Sequence, residues 1–235
     1  MKISAFLNMM EEIAPFDHAE EFDSDKIGLV VEGTEDIDVI CCALDPTIHA
    51  ITTAESIGAD MLVVHHTPLF TPVTRITGTT ARILHILLKN EINLFVMHTN
   101  FDHAEGGIND ALADMIGLSN RARMTMGIVG DCPLTLNQLI LKLGCGVRVY
   151  GTIDRLDRVA VVGGSGFSQD LMEQALDLGA DAFISSEMKH STARLAPLPC
   201  IEATHYALES PGMKALAMRM GWTYISDPPE SCLLV

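Results

Sequence analysis

Short apolar runs alternate with amphipathic stretches along the first half of the chain. Residues 37–44, 60–64 and 93–97 read as strands, each an apolar run bounded by polar or turn residues. Residues 47–58 read as a small-residue helix closed by Gly58, and residues 80–90 as another. The segment 1–13 has the spacing of an amphipathic helix, and 108–116 is a further helical stretch. The βαβαβ order predicts a mainly parallel sheet covered by helices.

The second half repeats the pattern. Residues 136–143, 169–178 and 211–220 read as helices, and 147–151, 158–162, 182–185 and 222–225 as strands. Residues 119–135, with Ser-Asn-Arg-Ala-Arg and Gly-Asp-Cys-Pro, read as a crossing between the halves. The expected fold is therefore α/β, with two similar, interlocked units over 1–122 and 123–235.

Polar, metal-capable side chains gather where the strands end, the favoured place for function in open α/β sheets. His65 and His66 follow the second strand, and Thr67-Pro68 closes it. Neighbouring strand residues point to opposite sides, so the pair suits two adjacent ions, one imidazole each. A loop with two solvated histidines is the plainer reading. The third strand runs into His98-Thr99-Asn100-Phe101-Asp102-His103. Asp102 has two oxygens with which to bridge cations, or it caps the helix that follows. His98 suits a ligand or a group that orients one. Further on, His205 and Glu209 are four apart, which on a helix places them on one face. Such a pair suits a transition metal, and it is also common by chance on solvated helices. Val162-Gly163-Gly164-Ser165-Gly166 imitates a dinucleotide-binding turn, but Gln169 stands where the third glycine belongs. It reads as a tight strand-to-helix turn whose N–H groups could still receive an anion.

Four ordered motifs carry a resemblance: His-His-Thr-Pro-Leu-Phe at 65–70, His-Thr-Asn-Phe-Asp at 98–102, Ser-Ser-Glu-Met-Lys-His at 185–190 and Thr-His-Tyr-Ala-Leu-Glu at 204–209. Together they resemble the GTP cyclohydrolase I type 2 homologs, also described as Ngg-interacting-factor-like proteins. The resemblance implies a dinuclear metal centre held by His65, His66, Asp102, His205 and Glu209, with Asp102 or Glu209 bridging. Because the ligands come from both halves, the expected place for the metals is the cleft between the units. It also implies a closed homo-oligomer, a hexamer. The chain departs from the family's Trp-Asp-Asn-x-Gly-Leu at 23–29 and has Ser186-Glu187 where Gly-Glu is usual. Neither departure touches a proposed ligand, so they bear on the substrate contacts that the resemblance implies and not on metal binding.

Composition narrows the chemistry. The 235 residues are 48% apolar and 20% charged, which excludes disorder and supports a buried core. No apolar run reaches bilayer length, and residues 1–13 lack the marks of a signal peptide. The net charge of −16 argues against nucleic acid as a partner, and an anionic substrate such as a nucleotide needs metals to offset it. Six cysteines without a C-x-x-C pair read as free thiols, consistent with the cytoplasm.

The leading functional expectation is a metal-dependent hydrolase of a small substrate, with two divalent ions among Zn, Fe, Mn, Co and Ni. Glu187 or His98 would carry protons, and Lys189 and His190 would hold a phosphate or carbonyl oxygen. The plainer reading of 187–190 is a polar loop. The alternative function is a non-catalytic metal-holding assembly or adaptor protein.

Overall fold

A computed structural model describes residues 1–230. The first elements in chain order are α1 (Ile3–Ile13), β1 (Gly28–Val31), β2 (Ile40–Ala43), α2 (Ile48–Ile57), β3 (Met61–Val64), α3 (Gly78–Lys89) and β4 (Asn93–Val96). There follow α4 (Thr99–His103), α5 (Ile108–Ile116), β5 (Ser119–Arg123), β6 (Ile128–Asp131), α6 (Leu136–Leu143) and β7 (Arg148–Tyr150). The last are β8 (Arg158–Val161), α7 (Gln169–Asp177), β9 (Ala182–Ser185), α8 (His190–Leu195), β10 (Cys200–Glu202), α9 (His205–Met220) and β11 (Thr223–Tyr224). They form two units, Met1–Gly107 with Met213–Pro228, and Ile108–Gly212.

In the first unit the three predicted strands β2, β3 and β4 pair side by side within the order β1-β4-β3-β2-β11, which also takes in β1, not expected from the sequence, and β11, expected in the second half. All pairs are parallel except the edge pair of β1 with β4. Every residue of β2, β3 and β4 is buried, as parallel strands covered on both faces require. Helix α2 begins where the Thr47 hydroxyl accepts the Ala50 amide at 3.0 Å, and ends at Gly58 with φ +74°. The cap is worth about 1 kcal/mol, and the left-handed turn is one that glycine takes without strain. Asn93 is a buried polar exception. Its side chain accepts the Gly33 amide and donates to the Thr34 and Asp60 carbonyls, so the base of the sheet has its polar groups matched.

The second unit carries a sheet in the order β5-β6-β8-β9-β10-β7. Its centre, β8-β9-β10, is parallel, while β5, β6 and β7 join antiparallel. Segment 119–135, expected as a crossing, instead contains the strands β5 and β6. Its polar side chains misled because β5 is an exposed edge held by backbone pairing, not by apolar burial. The division expected at residue 122 also shifts. Leu112, Ala113 and Ile116 of α5 pack into one core with Val159, Val161 and Ile184, which assigns α5 to the second unit. Likewise α9 starts at His205 and not at 211. Pro211 lies inside it, at the loss of one helical hydrogen bond.

Cys41, Cys42 and Cys200 are buried free thiols, and burial pushes the Cys200 thiol up to about 11. Cys132 and Cys145 are free and half-buried, and Cys232 lies outside the described residues. Among the described residues no helix is long and apolar enough to cross a membrane.

Candidate metal centre

Three adjacent parallel strands of the first unit deliver polar groups just past their carboxyl ends: Asp45 after β2, His65 and His66 after β3, His98 after β4. The ladder stops abruptly at β3. The amides of His65 and His66 both donate to the Leu44 carbonyl, at 3.0 and 3.1 Å. Strand alternation therefore ends before it can send the two imidazoles apart. The expectation of opposite sides fails here for that reason. The ring centroids of His65 and His66 lie 4.9 Å apart, with His98 at 5.0 and 5.6 Å from them. One nitrogen of each of the three rings falls within 4.8 Å of the others, close enough to hold a metal ion.

The rings are held in register by their Nδ1 atoms. His65 Nδ1 is 2.7 Å from the Met97 carbonyl, which only accepts, so this nitrogen carries the proton and Nε2 has the lone pair when the ring is neutral. His66 Nδ1 meets Asp45 Oδ1 at 2.6 Å, and His98 Nδ1 meets Asp23 Oδ2 at 2.8 Å. Asp23 is fully buried, and the same oxygen accepts the Thr99 amide and hydroxyl at 3.1 and 2.9 Å. Burial works against its charge, but the His98 ring and Thr99 outweigh that and hold the carboxyl below its usual range. Asp102 lies within α4, with Oδ1 3.6 Å from His65 Nε2. It is thus beside an imidazole and not at the start of α5, which corrects the capping alternative.

In the second unit His205 opens α9 and Glu209 follows one turn later, with Nε2 and Oε2 2.8 Å apart. The same-face prediction holds. His205 Nδ1 contacts Glu187 Oε1 at 3.0 Å, again a carboxylate on the distal ring nitrogen. Glu187 sits just beyond β9 in the left-handed region, φ +62°, a conformation that costs a non-glycine residue about 1–2 kcal/mol. The glycine turn explains itself at Glu209. A Cβ on Gly164 would lie 2.2 Å from Glu209 Oε1, and one on Gly163 would lie 2.6 Å from Ile108 Cγ2. The Gly163 and Gly166 amides are engaged by Asn109 Oδ1 and Ser185 Oγ. The turn thus lets a carboxylate approach the backbone, and two of the amides considered for an anion are already in use. Lys189 and His190 are exposed at the start of α8.

The residues fit a metal on the chemistry of this structure. Imidazole nitrogens and carboxylate oxygens are the donors, and an acceptor on each Nδ1 directs Nε2 as the ligating atom, the usual support behind metal-bound histidine. The sequence reading missed Asp23, Asp45 and the need for Gly164. Asp45 carried a readable signal, since it follows a strand as His65 and His98 do. Asp23 carried none, because its partner lies 75 residues away.

The chain as a whole is similar to known proteins. The chain is 32% identical over 238 residues to a Streptomyces coelicolor protein named GTP cyclohydrolase 1 type 2 homolog, covering 89% of this chain and 82% of that one. A protein of the same name from Methanocaldococcus jannaschii is 32% identical over 228 residues, covering 91% and 92%. Among solved structures, reduced HcgD from Methanocaldococcus jannaschii aligns with a TM-score of 0.80 at 30% identity, over 95% of this chain and 96% of its own. A Staphylococcus aureus protein shares the fold at a TM-score of 0.87 and 23% identity, over 100% and 99%. The family model described as Duf34/NIF3 (NGG1p interacting factor 3) matches residues 1–224. With nearly its whole length matched, the chain belongs to the Duf34/NIF3 family.

Proposed function

We propose that this protein is a metal-dependent hydrolase of a small substrate, GTP cyclohydrolase-like in type. In this reading His65, His66, Asp102, His205 and Glu209 share two divalent transition-metal ions. The observation that carries the reading is the acceptor placed on the Nδ1 of His65, His66 and His205, which readies each Nε2 for a metal. The names of the relatives support the reaction class. Bound metal would supply an activated water and polarise the bond to be broken. His98, its Nδ1 fixed by Asp23, is the residue assigned to proton transfer. Glu187 was expected to share that task, but its contact with His205 suits it better to orienting that ring. Lys189 and His190 are assigned to the substrate's phosphate or carbonyl oxygen, and GTP is the first candidate. A closed homohexamer in the cytoplasm completes the proposal. The exposed Leu141, Leu195 and Met218 support contacts between copies, and light scattering tests them.

Elemental analysis of the purified protein should find about two metal ions per chain, as a five-ligand dinuclear set implies. His66→Ala and Glu209→Ala should each lower the content of both ions while circular dichroism stays unchanged. Full metal content in both variants would sink the ligand set. Loss of only one ion in each would show that the two groups of ligands act separately. The metal-loaded protein is then screened against GTP, other phosphate compounds and cyclic amides. Metal uptake without any turnover would turn the assignment to a metal-holding adaptor.

A further inference from the structure

Glu187 has no regular structure to hold it in its left-handed conformation, yet the backbone on either side is fastened. Before it, the Ser186 amide and hydroxyl both donate to the Gly164 carbonyl, at 2.9 and 2.7 Å, and Ser186 is buried. After it, the Met188 amide donates to Glu202 Oε1 at 2.9 Å. Glu202 ends β10, and the antiparallel register with β7 sets it opposite Arg148. Its other oxygen, Oε2, accepts the Tyr150 hydroxyl at 3.0 Å and Arg148 Nη1 at 3.3 Å, while Arg148 also reaches the Tyr150 oxygen at 3.3 Å.

We propose that Glu202, steadied by Tyr150 and Arg148, is a positioning residue for the metal end of this unit. It pins the Met188 amide, which keeps Glu187 in its left-handed turn, and the Glu187 carboxylate then sets the His205 ring. Glu202, Tyr150 and Arg148 do not touch the reacting atoms. Their effect is on how well His205 is aimed before a metal arrives. Without the pin, Glu187 relaxes toward ordinary backbone angles and its carboxylate swings away from Nδ1. Glu187 alone is a weak holder, being largely exposed on a flexible side chain, so the backbone clamp supplies the order that the side chain lacks. The inference rests on the proposal that His205 is a metal ligand.

Cobalt(II) titration of the full-length protein, followed by visible absorption against a competing chelator, tests it. Glu187→Gln and Glu202→Gln should each weaken binding roughly 10- to 100-fold, the range for groups behind a metal ligand. Tyr150→Phe, which removes one hydroxyl from the periphery, should weaken it about 5-fold, equivalent to a single hydrogen bond. In the Glu187→Gln background the Tyr150→Phe effect should vanish, because its route to the metal is already cut. The cobalt absorption band should shift in the same variants that lose affinity. An undiminished Tyr150→Phe effect in that background, or unchanged affinity in Glu202→Gln, overturns the clamp. If Glu202→Gln fails to fold, the Tyr150→Phe cycle decides alone. Wild-type protein that takes up no cobalt overturns the metal reading itself, a result distinct from a clamp that fails in a protein that binds.

Discussion

The two ends of this chain's candidate chemistry aim their histidines by the same device and build it from opposite materials. In the first unit the partner of His98 is Asp23, wholly buried and fixed by Thr99 through both an amide and a hydroxyl. In the second unit the partner of His205 is Glu187, whose side chain is 60% exposed and whose backbone is strained. A buried carboxylate with several donors helps the fold and the site together. An exposed one contributes little to stability, so its unusual backbone makes sense only through what it aims. The comparison separates a carboxylate that holds both the fold and a histidine from one whose side chain holds a histidine alone.

The largest effect expected from this contrast is on stability in the first unit. Asp23→Ala removes three charge-assisted hydrogen bonds from a dry interior and leaves the His98 ring and Thr99 without their acceptor. It should destabilise the protein by about 3 kcal/mol in urea unfolding. A loss below about 1 kcal/mol would mean that the buried carboxylate is not structural, and the contrast would collapse. Next comes Gly164→Ala. The added carbon would meet Glu209 Oε1 at 2.2 Å on a backbone with φ +66°, so about 2 kcal/mol and a sharp loss of bound metal are expected. Unaltered metal content would show that Glu209 has room to move. The smallest change has the opposite sign. Glu187→Gly frees the left-handed position of its strain and should stabilise the apo protein by about 1 kcal/mol while weakening metal binding. Destabilisation by the same amount would show that Glu187 holds the fold after all.

Legibility differed along the same line. Buried parallel strands and capped helices announced themselves, as in β3, in α2 between Thr47 and Gly58, and in α5 over Ile108–Ile116. The edge strand β5 did not, because its residues Ser119–Arg123 face solvent and carry no apolar rhythm. Pro211 concealed the continuity of α9, in which the helical pair His205 and Glu209 and the stretch 211–220 belong to one helix. The histidines were visible as donors, but their convergence was not. Alternation along a strand is a sound rule only while the ladder lasts, and here it ends one residue too soon for the rule to apply. Asp23 and Glu202 act through partners far away in sequence, and no local pattern marks such residues.

The single carbonyl that serves both His65 and His66 has a further consequence. Two amides sharing one acceptor each hold it less firmly than a ladder bond, so this is the compliant end of an otherwise stiff sheet. Deuterium should enter these two amides well before those of Leu62 or Val63, whose strand is flanked by partners on both sides. Such a joint would let two imidazoles shift by tenths of an ångström to suit the radius of a bound ion. The strands behind them would not need to move, and under the proposed metal reading such a site would take several metals of similar size with little penalty in folding.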